Sequence, residues 1–196
     1  MLAASALSIA GCGFSGPSRI HPQAIASDAA AKAMELYDAN KDGVLDDKEL
    51  AKVPGLQASI ASFDKNGDGK ISTDEINTRI QEWADSKVGR MPVTVTLLHN
   101  GKPLEDATVT FQPESFLGGD LKPGTGATDS AGMAVISIPL SDPLDPPGMS
   151  PGLYRVQVTK TGENIPAKYN TETTLGQEVG QGNRQLLDGV RFDLKY

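Results

Sequence analysis

Cysteine is all but missing from this chain: Cys12 stands alone among 196 residues, so no disulfide can form within it. Histidine is nearly as scarce, with only His21 and His99. No H-E-x-x-H, G-x-S-x-G or Gly-rich phosphate loop is present, which removes the common signatures of zinc peptidases, serine hydrolases and nucleotide enzymes. Aromatic residues make up 5% of the chain and Trp83 is the single tryptophan, which leaves few rings for a sugar-binding surface. No stretch approaches the roughly 20 apolar residues of a transmembrane helix. Lys and Arg number 18 against 25 Asp and Glu, and a net charge of −7 excludes the basic footprint that nucleic acid requires.

What the chain does have is acid at regular spacing. DANKDGVLDDKE (Asp38 to Glu49) and DKNGDGKISTDE (Asp64 to Glu75) are twelve-residue stretches with oxygen-bearing side chains at alternate positions, glycine at the sixth and glutamate at the twelfth. Calcium is a hard cation that takes six to eight oxygen ligands, and a loop folded around it offers every second side chain inward. In the first loop the expected ligands are Asp38, Asn40, Asp42, the Val44 carbonyl, Asp46 and both oxygens of Glu49. In the second they are Asp64, Asn66, Asp68, the Lys70 carbonyl, Ser72 and Glu75. Gly43 and Gly69 fall where the backbone must turn with positive φ. The pattern predicts two bound Ca²⁺ ions, with the first site the stronger because it presents four ligand carboxylates against three.

Both loops resemble the EF hand, and the resemblance implies that Leu45 and Ile71, at the eighth positions, form a short antiparallel bridge. Tyr37 and Phe63 stand where the last apolar residue of an entering helix belongs. SDAAAKAMELY predicts the first helix, capped at Ser27 or Asp28, and Ile76, Ile80 and Trp83 recur at helical spacing after the second loop. The loops begin 26 residues apart, which leaves room for a break at Pro54-Gly55 and one short helix with Leu56, Ile60 and Phe63 on one face.

MLAASALSIAGCG is small and apolar up to the cysteine, and Ile9-Ala10-Gly11-Cys12 resembles the lipobox of bacterial lipoprotein signal peptides. The resemblance implies lipidation at Cys12, a membrane-anchored, extracytoplasmic protein (periplasmic or cell-surface), and a tether reaching to Gln23. No Lys or Arg lies between Met1 and the cysteine, where a signal peptide carries positive charge. The competing reading is an N-terminal helix stub with an inert thiol.

Beyond Pro92 the composition turns to alternating β-branched residues, Gly and Pro. DATVTFQPE sets Ala107, Val109 and Phe111 against Thr108, Thr110 and Gln112; GLYRVQVTK and GVRFDLKY alternate likewise. About seven short strands in residues 92–196 predict a β-sandwich with Greek-key connections. NGKPLEDATVTFQP, the TDSAG turn and PGLYRVQV together resemble the carboxypeptidase regulatory-like (transthyretin-like) sandwich, and the tail resembles small planctomycete-type lipoproteins bearing it. The expected organisation is therefore α+β in two domains: a leader and tether over 1–23, a small helical EF-hand pair over 24–91, and a seven-stranded Greek-key sandwich over 92–196.

Enzymes on related sandwiches need several histidines, or two His with two Tyr; the only histidines here are His21, in the tether, and His99, at a strand end beside the Asn-Gly turn, so no enzymatic role is expected. Residues 28–90 hold 13 acids against 9 bases, so two calcium ions would cancel the excess, and removing them is expected to loosen residues 24–91 while sparing the sandwich. Two uses of calcium and one further binding role stay open. Calcium can be structural; it can be sensed or serve adhesion to an envelope protein partner; or the sandwich can bind a glycan through Phe116, Tyr169 and Tyr196. Sensor grooves are Met-rich, and the hands contain only Met34, with Met91 at their boundary.

Overall fold

The computed structural model describes residues 23–140 and 145–196. Cys12, the lipobox and most of the tether lie outside the described residues. The fold is mixed α+β.

The first half is a pair of helix–loop–helix units. Helix α1 (Ala29–Tyr37) enters the first loop, strand β1 (Val44–Leu45) crosses it, and α2 (Asp47–Leu50) leaves it. Helices α3 (Pro54–Ala58) and α4 (Ile60–Phe63) lead to the second loop, which β2 (Ile71–Ser72) and the longer α5 (Thr73–Asp85) complete. Asp28 is the N-cap of α1, but its side chain makes no capping hydrogen bond and pairs with Lys32 at 3.0 Å instead. The linker differs from expectation. Pro54 opens α3 rather than breaking a helix, because its fixed φ and missing N–H suit the first helical position. The break falls at Ser59, so Leu56 and Phe63 belong to separate short helices.

Residues beyond Pro92 form two four-stranded sheets. They comprise β3 (Val93–His99), β4 (Lys102–Pro103), β5 (Ala107–Pro113), β6 (Gly124–Ala127), β7 (Met133–Ile136), β8 (Gly152–Lys160), β9 (Gly176–Val179) and β10 (Val190–Leu194). That is eight strands among the described residues rather than seven, the short β4 being the addition. One sheet places β3 at its centre, with β10 parallel on one side and β4 and β7 antiparallel on the other. The second runs β6-β5-β8-β9, antiparallel throughout. A bridge between Thr125 and Ser137 ties the sheets along the β6–β7 edge. A short helix, α6 (Arg184–Asp188), leads from β9 to β10.

The alternation read from sequence holds in β5, where Ala107, Val109 and Phe111 are buried and Thr108 and Gln112 exposed. They join Val93, Val95 and Leu97 of β3 and Tyr154, Val156 and Val158 of β8 in one core.

A second core underlies the helices, and it is not made by the helices alone. Ala29, Ala33, Leu45, Leu56, Phe63, Ile71, Ile76 and Trp83 pack with Phe116, Leu117, Leu121 and Leu153 from the β half. Phe116 follows β5 in a 3-10 turn (Ser115–Leu117) and is 1% exposed, with its ring edge-on to Tyr37 at 6.4 Å. Tyr169 is buried too, in the core that the two four-stranded sheets share. Of the three aromatics expected on the surface, only Tyr196 is there, at 38% exposure.

Candidate metal centre

Each loop is built backward from its twelfth residue. Glu49 is almost fully buried and reaches across the first loop: its Oε1 accepts from the Ala39 N–H at 2.8 Å and its Oε2 from the Asp46 N–H at 3.0 Å. Glu75 does the same in the second loop, accepting from Lys65 N–H at 3.0 Å and from Ser72 N–H at 2.8 Å. The ninth residues return the contact. Asp46 and Ser72 are the N-caps of α2 and α5 and form reciprocal capping boxes with Glu49 and Glu75. One four-residue motif thus starts the exiting helix and pins its glutamate under the loop. The signature was present in sequence as Asp46-x-x-Glu49 and Ser72-x-x-Glu75, but the ligand pattern overlies it.

The first residues of the loops organise the turn. Asp38 accepts from Gly43 N–H at 3.0 Å and Asp64 from Gly69 N–H at 2.9 Å. Asn40 and Asn66 each accept from the backbone two residues on, at Asp42 and Asp68, both at 2.9 Å. Gly43 at φ +85° and Gly69 at φ +78° occupy left-handed backbone with open space around them. Val44 and Lys70 follow, and Leu45 pairs with Ile71, so the eighth positions form the antiparallel bridge the EF-hand resemblance implies. Both residues are completely buried.

The donor set suits a hard divalent cation, since carboxylate, amide and carbonyl oxygens alternate along each loop, joined by the Ser72 hydroxyl in the second, without sulfur or imidazole. Among the described residues no three Asp, Glu, His or Cys side chains form a compact metal-holding group. The reason is visible in the contacts: the carboxylates are spread along the loop, each accepting from backbone N–H groups. A carboxylate has about four lone-pair sites, so these bonds leave capacity for a cation. The positive-φ glycines, the bridge and the buried glutamates all fit calcium loops.

The electrostatics agree. Burial pushes the Glu75 carboxyl up, but hydrogen bonds from Ser72 and from the Lys65 and Asn66 backbone outweigh it and hold the group below its ordinary range. It is therefore an anion at neutral pH even though it is mostly enclosed.

The EF-hand family matches the chain twice, at residues 31–54 and 56–80. Both loops fall inside the matched residues, and the match supports calcium binding. No curated protein and no solved structure matches the chain.

Sequence reasoning missed two further carboxylates. Glu178 of β9 and Glu114, just after β5, are both 0% exposed. Glu178 Oε1 accepts from Arg79 Nε at 2.7 Å and Trp83 Nε1 at 2.9 Å, both on α5, while its Oε2 accepts from Asn183 Nδ2 at 3.2 Å. Glu114 accepts from the Gly55 N–H of α3 at 2.9 Å and from Arg155 Nη2 at 2.8 Å. Burial pulls the Arg79 guanidinium down, yet Glu82 and Glu178 together raise it above its ordinary value. No local pattern marks these groups, because their partners on α3 and α5 lie 59 to 99 residues away.

Proposed function

We propose that this is a calcium-binding, lipid-anchored protein of the bacterial envelope, in which two Ca²⁺ ions stabilise an EF-hand module fixed to a β-sandwich spacer or interaction domain. One observation carries the structural role of calcium. The apolar interior of the hands is filled by Phe116, Leu117, Leu121 and Leu153 from the same chain. A sensor exposes that surface to a partner on binding calcium; here the partner is already built in. Asp38, Asn40, Asp42, Val44, Asp46 and Glu49 would hold the first ion, and Asp64, Asn66, Asp68, Lys70, Ser72 and Glu75 the second. Thermal unfolding of the full chain tests this. Millimolar calcium should raise the midpoint by several degrees over chelated protein, and identical midpoints would defeat the reading.

The finer assignments rest on sequence. Residues 92–196 are read as a carboxypeptidase regulatory-like, Greek-key sandwich of the kind borne by planctomycete-type lipoproteins, with 24–91 as the EF-hand pair. Extracytoplasmic anchoring rests on the lipobox-like Ile9-Ala10-Gly11-Cys12, and intact mass of membrane-extracted protein tests it through an acyl adduct on Cys12. A non-enzymatic role rests on the histidine count. His99, the one described histidine, lies flat against Tyr196 with ring centroids 4.0 Å apart, and its Nε2 is 3.0 Å from the Tyr196 backbone oxygen.

The alternative is a calcium-dependent sensor or adhesin for an envelope protein or glycan. It is favoured by a cleft of about 750 Å³ between residues 23–27 and α5, lined by Ile25, Ile80, Trp83 and Pro151. Recovery of a partner from envelope fractions only when calcium is present would support it.

A further inference from the structure

We infer that Glu178 is a positioning residue for the second calcium loop, so that the sandwich, and not only the loop, sets the affinity of that site. The inference rests on the calcium reading of the loop. Helix α5 begins at the loop's end, and Glu75 lies in its first turn. Arg79 is one turn further on and Trp83 one turn beyond that, so all three residues lie along one side of the helix. Arg79 and Trp83 both donate to the same oxygen of Glu178. Arg79 Nη2 also reaches that oxygen, at 2.6 Å, and donates to the Gln181 carbonyl at 3.0 Å.

Two consecutive turns of α5 are thus held against a single carboxylate of β9. Such contact fixes both the rotation of the helix and its advance along its axis. Glu75 is carried on the same rigid element, so its carboxylate is placed under the loop by a residue 103 positions later in the chain. The approach is close: a Cβ on Gly180 would lie 2.7 Å from Trp83 Nε1 and 2.9 Å from Glu178 Oε1. The side chain of Glu178 is completely enclosed, so water offers Arg79 and Trp83 no substitute acceptor in its place.

A ligand that depends on preorganised oxygens loses affinity when the element presenting one of them is freed. Couplings between sites of this kind amount to about 5- to 150-fold in binding. The test uses the full chain carrying Glu49→Gln, in which only the second loop keeps its twelfth-position ligand, titrated with calcium by calorimetry. Adding Glu178→Gln should weaken binding by about fivefold or more, at a temperature where circular dichroism shows the variant folded. Adding Glu163→Gln, which alters a carboxylate paired with Lys160 away from α5, should leave binding unchanged. If Glu178 acts through Arg79, Glu178→Gln combined with Arg79→Gln should cost no more than the worse of the two single changes. Additive losses would overturn the inference, as would unchanged affinity in folded Glu178→Gln protein. Should that variant fail to fold, Trp83→Phe keeps the ring and removes one donor; it should weaken binding in the same direction, and unchanged affinity there would overturn the inference equally. If the Glu49→Gln protein binds no calcium at all, the reading of the second loop falls and the inference falls with it.

Discussion

A Cβ placed on Gly176 would stand 1.9 Å from the carbonyl oxygen of Pro54, so strand β9 and helix α3 meet backbone against backbone. Gly55 repeats the intimacy one residue on, where an added Cβ would come within 3.0 Å of the Glu114 side chain. Space, and not backbone conformation, demands glycine at both positions, since neither adopts positive φ. The inter-hand linker therefore lies directly on β9.

Gly176→Ala is expected to destabilise the chain by about 1–3 kcal/mol, the usual cost of forcing a methyl into a filled contact. Gly162→Ala, where the added atom meets nothing within 4 Å, is expected to cost only the strain of φ +78°, about 1 kcal/mol. Urea unfolding of the two variants beside the parent protein checks the difference; equal losses would mean that the α3–β9 contact is looser than described.

Calcium removal should act on the whole chain. Sequence composition suggested that a chelator would loosen residues 24–91 and leave the sandwich alone. The shared core argues otherwise, because Phe116 and Leu153 cannot lose the helices without exposing their own apolar surface. Trp83 fluorescence, which reports the hands, and far-ultraviolet dichroism, dominated by both halves, should follow one transition, shifted downward by chelator. Two separated transitions would restore the independent-domain picture.

Acid should weaken the calcium-free protein in a defined window. Arg79 holds the Glu82 carboxyl below the ordinary range, and hydrogen bonds from the second loop do the same for Glu75 against the opposing effect of burial. A carboxyl depressed in the folded state binds protons more readily in the unfolded chain. Its contribution is therefore complete above the ordinary glutamate value of about 4.3 and drains away as pH falls through that value and below. Stability of chelated protein is expected to be level from neutrality to about pH 5 and to fall beneath it. Glu82→Gln should flatten part of that slope in denaturant melts at pH 3 to 6, and an unchanged slope would remove Glu82 from the account.

Much of the candidate metal centre was legible because its information is local. Twelve residues carry the ligands, the turn glycine and the bridge residue together, and the EF-hand resemblance they make implied the pairing of Leu45 with Ile71. The strands beyond Pro92 were legible through alternation, as at Ala107, Val109 and Phe111. The short β4 was not distinguished from the strand that follows it, because two residues carry no period of their own. Phe116 was misread as a surface ring because its burial depends on α1, whose Tyr37 is 79 positions away. Glu114 and Glu178 look like any surface acid in the sequence, and only the fold brings them to Gly55, Arg79 and Trp83. Local pattern reveals the site; the contacts that hold it to the rest of the molecule are long-range.

The two loops should be separable by their last residues. Glu49→Gln and Glu75→Gln each replace a buried carboxylate that spans its loop. The first loop offers four carboxylates and the second three, with Ser72 in place of an acid, so losing Glu49 should remove the tighter site. A larger loss of total affinity from Glu75→Gln would reverse that ranking.

Equilibrium dialysis of the full chain against radioactive calcium counts the bound ions and bears most directly on the claim of two calcium sites. Two ions per chain are expected at millimolar calcium, falling to one in either Glu49→Gln or Glu75→Gln. A chain that retains none, or that keeps two after both substitutions, would show that these loops are not calcium sites.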